Sequence, residues 1–391
     1  MKMDFFIGRK QEIDAVVTRI KYQNQSCALR GDSGFGKTAL LKYLIEPDTL
    51  SRFKFDTNIF HILYFACPEY LPTKVYSPDD FWRDIFLHLK VNLHHEALKS
   101  TATRLSKENN LDYYTVENFF YKAKLENFNF ILFLDDFDNL LANPQFGGEF
   151  LWSLKNLANN KVDYNFGLVV STLTELSQLC HDTELLVSPF FNIFSTIVLK
   201  PFSDSEVREY LSEHFPNYLK DENHVLKLIE VSNGIPLILQ LCCEYFHSTR
   251  DVEQYYLSRI APNWSNKTQK VIDRFIRRCW TNSINEEKKL LIQLAFEYHK
   301  SNFQPLDGAR LILLRREFHQ AWRLLQKRYL ADEDTILMSL FPASFSQFIL
   351  SEVIGDYSKI TRVNTDFEFF NELVSKHNLL IKDHYKHLIN N

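Results

Sequence analysis

The stretch Gly31-Asp-Ser-Gly-Phe-Gly-Lys-Thr38 decides the fold of this chain of 391 residues. It fits the pattern G-x-x-x-x-G-K-[ST] without a mismatch, between a predicted strand, Ser26 to Arg30, and a predicted helix, Lys37 to Ile45. Glycines let the backbone wrap so that successive N–H groups point at phosphate oxygens, and the helix N-terminus adds partial positive charge. The pattern therefore predicts a loop that holds the phosphates of a nucleotide.

Two side chains of this loop have predicted roles of their own. The Lys37 ammonium should reach the β- and γ-phosphates of ATP, and the Thr38 hydroxyl should ligate Mg²⁺. The nucleotide contacts expected from the loop and the first turn of its helix are those of Asp32, Ser33, Gly34, Phe35, Gly36, Lys37, Thr38 and Ala39. The alternative is a glycine-rich turn that binds nothing.

A second motif, about 100 residues further along the chain, ends in carboxylates. The apolar run Phe130 to Leu134 is followed directly by Asp135 and Asp136. Phosphate-loop proteins place a magnesium-organising acid at the end of such a buried strand, so Asp135 should hold Mg²⁺ through a water. We expect Asp136 to polarise the attacking water, or alternatively to cap a helix, and Asp138 to be a cap or solvated. Lys37, Asp135 and Asp136 are thus the predicted catalytic residues.

The fold class follows from further apolar runs. Ile59 to Ala66, Phe166 to Val170 and Thr196 to Leu199 read as strands, while Pro78 to Asn127 reads as a long helical region. Continuous apolar runs fit strands buried on both faces of a parallel sheet. Strands that alternate with helical segments predict an α/β protein, a parallel sheet with crossover helices on both faces.

The second half of the chain has a different pattern. Helical spacing predominates from Ser203, and a hairpin is predicted from Tyr329 to Leu340, with an acidic turn. Four regions are expected: the nucleotide-binding domain, a helical lid, a winged-helix domain and a helical tail, at residues 1–200, 201–280, 281–355 and 356–391.

Composition narrows the functional classes. Apolar residues make up 45% of the chain and the net charge is −4, which disfavours a protein whose main task is coating nucleic acid. None of the six cysteines forms a C-x-x-C pair, so a zinc site is not expected. No apolar run reaches the roughly 20 residues that span a bilayer. We therefore expect a soluble cytoplasmic protein.

These motifs, with three further segments, resemble the STAND branch of the AAA+ ATPases. The segment Phe6 to Glu12 is similar to the family's hydrophobic-Gly-Arg-x-x-Glu opening motif, and Asn233-Gly-Ile-Pro236 is similar to its G-x-P motif. Residues 188–203 look like the link into the helical lid, and residues 285–350 look like the winged helix. The resemblance covers roughly residues 4–350.

The resemblance implies further contacts with the nucleotide. Ile7, Gly8, Arg9 and Pro236 would touch the adenine, although a plain turn and a helix break are the alternatives for the two motifs. Ser171-Thr172 falls at the polar sensor position that would face the γ-phosphate, with a strand-end cap as the alternative. Many members carry an arginine one residue later, where this chain has Leu173.

A second departure from the family concerns the arginine finger. Ring-forming relatives supply one to the neighbouring subunit from just before the last core strand, but this chain has no arginine between Arg104 and Arg208. Since a finger contributes much of the hydrolysis rate, its absence predicts slow hydrolysis. Lys155 or Lys161 could stand in, without the bidentate fork.

The expected function is a switch that binds ATP or ADP with Mg²⁺ and hydrolyses ATP slowly. Because the sequence begins at the nucleotide domain and ends soon after the winged helix, we expect self-association and a separate effector or sensor, in prokaryotic antiviral defence or signalling. A DNA-transaction ATPase of the AAA+ class and a scaffold that does not hydrolyse are the alternatives. Basic residues that could bind DNA phosphates, or pair with Glu286, Glu287 and Glu317, are Arg310, Arg315, Arg316 and Arg323.

Overall fold

The computed structural model has two compact units. Residues 1–31 and 35–200 form the first, and residues 32–34 and 201–391 form the second, so the tip of the phosphate loop is grouped with the second. The structure describes residues 6–23, 25–69, 76–180, 189–249, 266–303, 306–333, 335–355, 370–377 and 379–388.

A five-stranded parallel sheet forms the centre of the first unit. Its strands, in chain order β1 to β5, are Ser26–Arg30, Phe60–Ala66, Asn129–Asp135, Phe166–Thr172 and Phe194–Val198. They lie in the order β2-β3-β4-β1-β5, with every pair parallel. β3 and β4 are inside the sheet and almost entirely buried, which explains their continuous apolar sequences. The predicted α/β fold with a parallel sheet is confirmed.

Helices precede the first strand and connect the strands. They are Lys10–Val17, Lys37–Leu44, Pro47–Arg52, Pro78–Asn92, Glu96–Leu105, Tyr113–Leu125, Phe137–Leu141, Gly148–Asn159 and Leu176–Leu179, with a π-helix at Thr18–Gln23 and a 3₁₀ helix at Phe190–Ile193. The helical region predicted over 78–127 is divided into three helices. Each begins at a capping side chain: Ser77 accepts the N–H of Asp80, His95 that of Leu98, and Asp112 that of Thr115.

Aromatic side chains fill much of the core of this unit. The rings of Phe81 and Phe150 meet edge to face with centroids 5.2 Å apart, and Phe120 meets Phe166 at 4.7 Å. Such aromatic pairs stabilise a core by more than the burial of their apolar area alone. This packing accounts for part of the chain's 34 phenylalanines.

The described part of the second unit is helical. Its α-helices are Asp204–His214, Glu222–Ser232, Pro236–Thr249, Asn266–Thr281, Asn285–Lys300, Gly308–Glu317, His319–Lys327, Pro342–Val353 and Phe370–His377, with 3₁₀ helices at Pro216–Lys220, Leu337–Leu340 and Asp383–Leu388.

In the hairpin predicted at Tyr329 to Leu340, the described residues form one antiparallel bridge, between Ala331 and Ile336. Ile336, Leu337 and Met338 are all buried, at 1%, 6% and 1% exposure. A strand would send alternate side chains to opposite faces, so this run coils into a 3₁₀ helix instead.

The C-terminal aromatic surface considered from the sequence is partly outside the described residues, because Phe367 and Phe369 lie there. Phe370 is buried, and its ring centroid is 6.0 Å from that of Phe296. Phe370 therefore serves core packing.

All six cysteines are buried. Burial raises the pKa of the Cys27 thiol to about 12, and does the same for Cys242. Among the described residues, no helix has the length and apolar character needed to cross a membrane.

Candidate functional site

The phosphate loop joins the carboxyl end of β1 to the helix Lys37–Leu44. Gly34 and Gly36 have φ of +83° and +88°, a conformation that side chains of L-residues rarely adopt. Lys37 is 6% exposed, and its ammonium donates to the carbonyl of Gly31 at 2.7 Å. The lysine thus folds back across the loop it belongs to, and its contact with the phosphates stays a prediction.

Asp135 ends β3 and is 2% exposed. Each of its two carboxylate oxygens accepts a hydroxyl: Ser171 donates to Oδ1 at 2.6 Å, and Tyr64 donates to Oδ2 at 2.8 Å. Ser171 and Tyr64 come from β4 and β2, the strands on either side of β3. Three neighbouring strands therefore fix the orientation of one buried acid.

Asp136 turns the chain out of the sheet. It is left-handed, with φ 55°, and its N–H donates to the Ser171 hydroxyl at 2.8 Å. It precedes the helix Phe137–Leu141, but its side chain makes no capping hydrogen bond. Asp136 thus occupies the N-cap position that the alternative expected, but without a capping hydrogen bond from its side chain.

The two residues at the sensor position differ. Ser171 is the link between Asp135 and Asp136, through the two hydrogen bonds just described. The Thr172 hydroxyl donates to the carbonyl of Thr174 at 2.8 Å, so Thr172 caps the end of its own strand. A direct contact of either residue with a γ-phosphate stays a prediction.

Asp138 was expected to cap a helix or face solvent, and this was wrong. Its carboxylate accepts the N–H of Leu173, at 3.1 and 3.0 Å to the two oxygens. Burial raises the pKa of Asp138 to about 6, while this hydrogen bond and the Lys37 charge act in the opposite direction. Asp138 connects the end of β3 to the end of β4. The only sequence signal for this role was its position three residues after Asp135.

The role of Tyr64 was not predicted from the sequence either, because nothing in an aromatic-rich strand indicates which tyrosine donates to a carboxylate. Burial raises its pKa, and the neighbouring Asp135 adds to the effect, so the phenol stays protonated and donates.

The opening motif packs against the loop within the first unit. Arg9 is left-handed, with φ 59°, and 3% exposed. Its guanidinium donates to the carbonyls of Phe35, at 3.2 Å, and Lys200, and pairs with Glu12 at 3.3 Å. Arg9 therefore links the opening motif to the phosphate loop. The predicted adenine contacts of Ile7, Gly8 and Arg9 stay predictions.

The G-x-P motif lies in the second unit. Gly234 has φ +66°, and a Cβ placed there would meet the Phe202 carbonyl oxygen at 2.2 Å. Its own carbonyl accepts the Phe202 N–H at 2.7 Å. Pro236 starts the next helix, and the N–H of Leu237 donates to the Gly34 carbonyl at 3.1 Å. The motif thus contacts the loop tip, while the nucleotide contact of Pro236 stays a prediction.

The sheet and the loop form a P-loop α/β fold of the AAA+ type. The family described as Novel STAND NTPase 2 matches residues 81–256. A Walker-type ATPase of Pyrococcus abyssi, PABY2304, is 16% identical, with a TM-score of 0.51 over 87% of this chain and 96% of its own. The ORC2 protein of Aeropyrum pernix, in ADPNP–ADP complexes, is 12% identical, with a TM-score of 0.54 over 92% and 96%. At these identities, the structural matches establish the fold alone.

The family match over residues 81–256 supports the resemblance to STAND-type P-loop NTPases seen in the sequence. A search of curated proteins found no match.

Proposed function

We propose that this protein is a molecular switch that binds ATP, hydrolyses it slowly and couples the nucleotide state to assembly with itself or with a separate effector or sensor. One observation carries the proposal: the loop and the acids converge at one edge of the sheet. β4 lies between β1 and β3, and the N–H of Gly31 donates to the Thr172 carbonyl at 3.2 Å. A nucleotide held by the loop therefore lies beside Asp135 and Asp136.

The residues fit a magnesium ion. Thr38, in the first turn after the loop, and Asp135 supply hydroxyl and carboxylate oxygens, the ligands that Mg²⁺ prefers. The bound ion would neutralise charge on the β- and γ-phosphates. Ser171 and Tyr64 orient the Asp135 carboxylate, and Asp136 would position the attacking water.

The slow rate of ATP hydrolysis in this proposal is inferred from the absence of arginine in one region of the sequence. Without an arginine from 105 to 207, no guanidinium is available in the region that supplies a finger in ring-forming ATPases. A long-lived ATP state suits a switch in cytoplasmic defence or signalling.

Two variants test the proposal. Lys37→Ala should abolish ATP binding in isothermal titration, because the phosphates lose their main counter-charge. Asp136→Asn should bind ATP but release phosphate more slowly. Light scattering and small-angle scattering on Asp136→Asn should differ between ADP and ATP, since a ligand shifts a conformational equilibrium only through its different affinity for the two states.

Unchanged ATP affinity in Lys37→Ala would reject the nucleotide site. Identical mass and radius of gyration with ADP and ATP would reject the switch and leave a simple ATPase or a scaffold.

A specific surface favours the second candidate, a DNA-transaction ATPase. A groove of about 520 Å³ on the second unit is lined by Ile312, Arg315, Arg316, His319, Trp322, Arg323 and Gln326. Arg316 and Arg323 are exposed and form no ion pair with any residue that the structure describes. Arg315 donates to the Glu333 carbonyl instead of a carboxylate, and Arg310 pairs with Glu297. Two guanidiniums are thus available to phosphates.

Fluorescence anisotropy with duplex DNA at several salt concentrations tests this candidate. Arg316→Ala and Arg323→Ala should each reduce the salt dependence by about one phosphate contact. Arg104→Ala, which removes an exposed guanidinium from the first unit, is the control. Equal binding by all three variants and the parent would remove DNA as the ligand of this groove.

A further inference from the structure

Arg328 lies between two buried carboxylates, and one of them belongs to the phosphate loop. Its Nε donates to Asp32 Oδ2 at 2.5 Å, and its Nη1 donates to Glu287 Oε2 at 2.9 Å. The side chains of Arg328, Asp32 and Glu287 are 17%, 5% and 3% exposed. All three belong to the second unit, since the loop tip is grouped with it.

The guanidinium is fixed from several sides. Nη1 also donates to the Ser283 hydroxyl at 3.1 Å, and Nη2 donates to the Cys279 carbonyl at 3.4 Å. Glu287 is itself held, because Oε2 accepts the N–H of Ile284 at 2.9 Å. Arg328 therefore has one orientation, in which it faces the loop carboxylate.

The residue after Arg328 is anchored to the G-x-P motif. The Asn233 side-chain amide donates to the Tyr329 carbonyl at 3.2 Å. Since Leu237, directly after this motif, donates to the Gly34 carbonyl, two separate contacts within the second unit hold the loop tip, one of them through Arg328.

The contact between Arg328 and Asp32 affects the charge of the phosphate loop. Asp32 is the second residue of a loop that would hold a polyphosphate, and its carboxylate is buried, so solvent screens it weakly. Its Oδ1 accepts the N–H of Ser33 at 2.8 Å, which keeps the carboxylate at the loop. Unless it is neutralised, this negative charge opposes the binding of ATP. Arg328 supplies the neutralising charge.

We infer that Arg328 is a positioning residue for the nucleotide: it compensates the charge of Asp32 and thereby makes the loop competent to bind phosphates. The inference rests on the proposed ATP site. It assigns to the second unit a residue on which nucleotide affinity depends, although that residue need not touch the nucleotide.

The test compares ATP affinities, measured by isothermal titration, in a set of matched variants. Arg328→Gln should weaken ATP binding at least tenfold. Adding Asp32→Asn to it should restore most of the affinity, because the negative charge of the loop carboxylate is then gone. Adding Glu287→Gln in its place should restore stability in thermal unfolding but not affinity. Arg274→Gln, which changes an exposed arginine of the helix Asn266–Thr281, is the control and should bind like the parent.

Asp32→Asn alone keeps the inference testable if Arg328→Gln does not fold. It leaves the arginine charge beside the loop, so ATP should bind several-fold more tightly, with a steeper salt dependence. A tenfold weaker affinity would overturn the inference, as would rescue of affinity by Glu287→Gln and not by Asp32→Asn.

The inference and the proposed function fail differently. If the parent binds ATP, Lys37→Ala does not, and Arg328→Gln binds like the parent, the ATP site stands and the inference is wrong. If the parent does not bind ATP, both are wrong.

Discussion

Replacing Ser171 with alanine should uncouple the two acids of the site. Its hydroxyl bonds to both, since it donates to Asp135 and accepts from the N–H of Asp136. Ser171 is completely buried, so the lost oxygen is not readily replaced by water. Thr172 is the matched control, because it is equally buried and its hydroxyl donates only to the Thr174 carbonyl among the bonds that the structure describes.

The size of the effect follows from these bonds. A hydrogen bond to a charged group contributes about 1.5–3 kcal/mol, and a buried N–H left without a partner costs about 1–3 kcal/mol. Ser171→Ala should therefore lower the free energy of unfolding by roughly 3 kcal/mol, whereas Thr172→Val should lower it by about 1 kcal/mol.

Hydrolysis should respond as well. Loss of a group that orients a metal-ligating carboxylate typically costs roughly 10–100-fold in metal affinity or activity. We expect a loss of this order in phosphate release by Ser171→Ala at limiting Mg²⁺, and near-parental rates for Thr172→Val. The measurements are urea unfolding and phosphate release against Mg²⁺ concentration. Equal effects of the two substitutions on both measurements would refute the reasoning.

The other predictions concern a glycine and an acid. Gly234→Ala should destabilise the protein by more than about 2 kcal/mol, because its Cβ would meet the Phe202 carbonyl oxygen at 2.2 Å and its φ is positive. Gly148→Ala, with nothing within 4 Å, should be tolerated in the same thermal unfolding assay, and equal behaviour of the two would contradict this account. Asp138→Asn tests the titration: burial raises the pKa of Asp138 from 3.8 to about 6, so this group's contribution to parental stability falls as pH rises through that window. The variant, measured against the parent, should gain about 1 kcal/mol between about pH 5 and 7.5, and a constant difference would show that Asp138 does not titrate there.

The sequence predicted the strands and the loop well for a physical reason. A strand buried on both faces needs a continuous apolar run, and a left-handed turn around phosphates needs glycine. A short stretch of sequence is therefore enough to predict each feature. The acids after β3 belong to the same class of signal, because a polar pair directly after a buried run stands out.

Side-chain partners were not predictable in this way. Tyr64 reaches Asp135 only because β2 lies beside β3, and Arg328 reaches Asp32 across 296 residues of chain. Such contacts depend on the order of strands and the packing of helices, which no local pattern encodes. The prediction of a hairpin at Tyr329 to Leu340 was wrong for a related reason. Leu337 and Met338 are consecutive and both buried, which a strand with one buried face does not allow.

The burial of all six thiols makes the folded protein nearly inert to maleimides and similar reagents, because only the thiolate reacts and burial disfavours it. A single cysteine placed at an exposed position such as Tyr114 or Val162 would then be labelled selectively, with no need to remove the native ones. A pair of such sites, one on each unit, could carry a donor and an acceptor dye. Single-molecule energy transfer would then report, in the otherwise unaltered chain, whether ATP and ADP favour different distances.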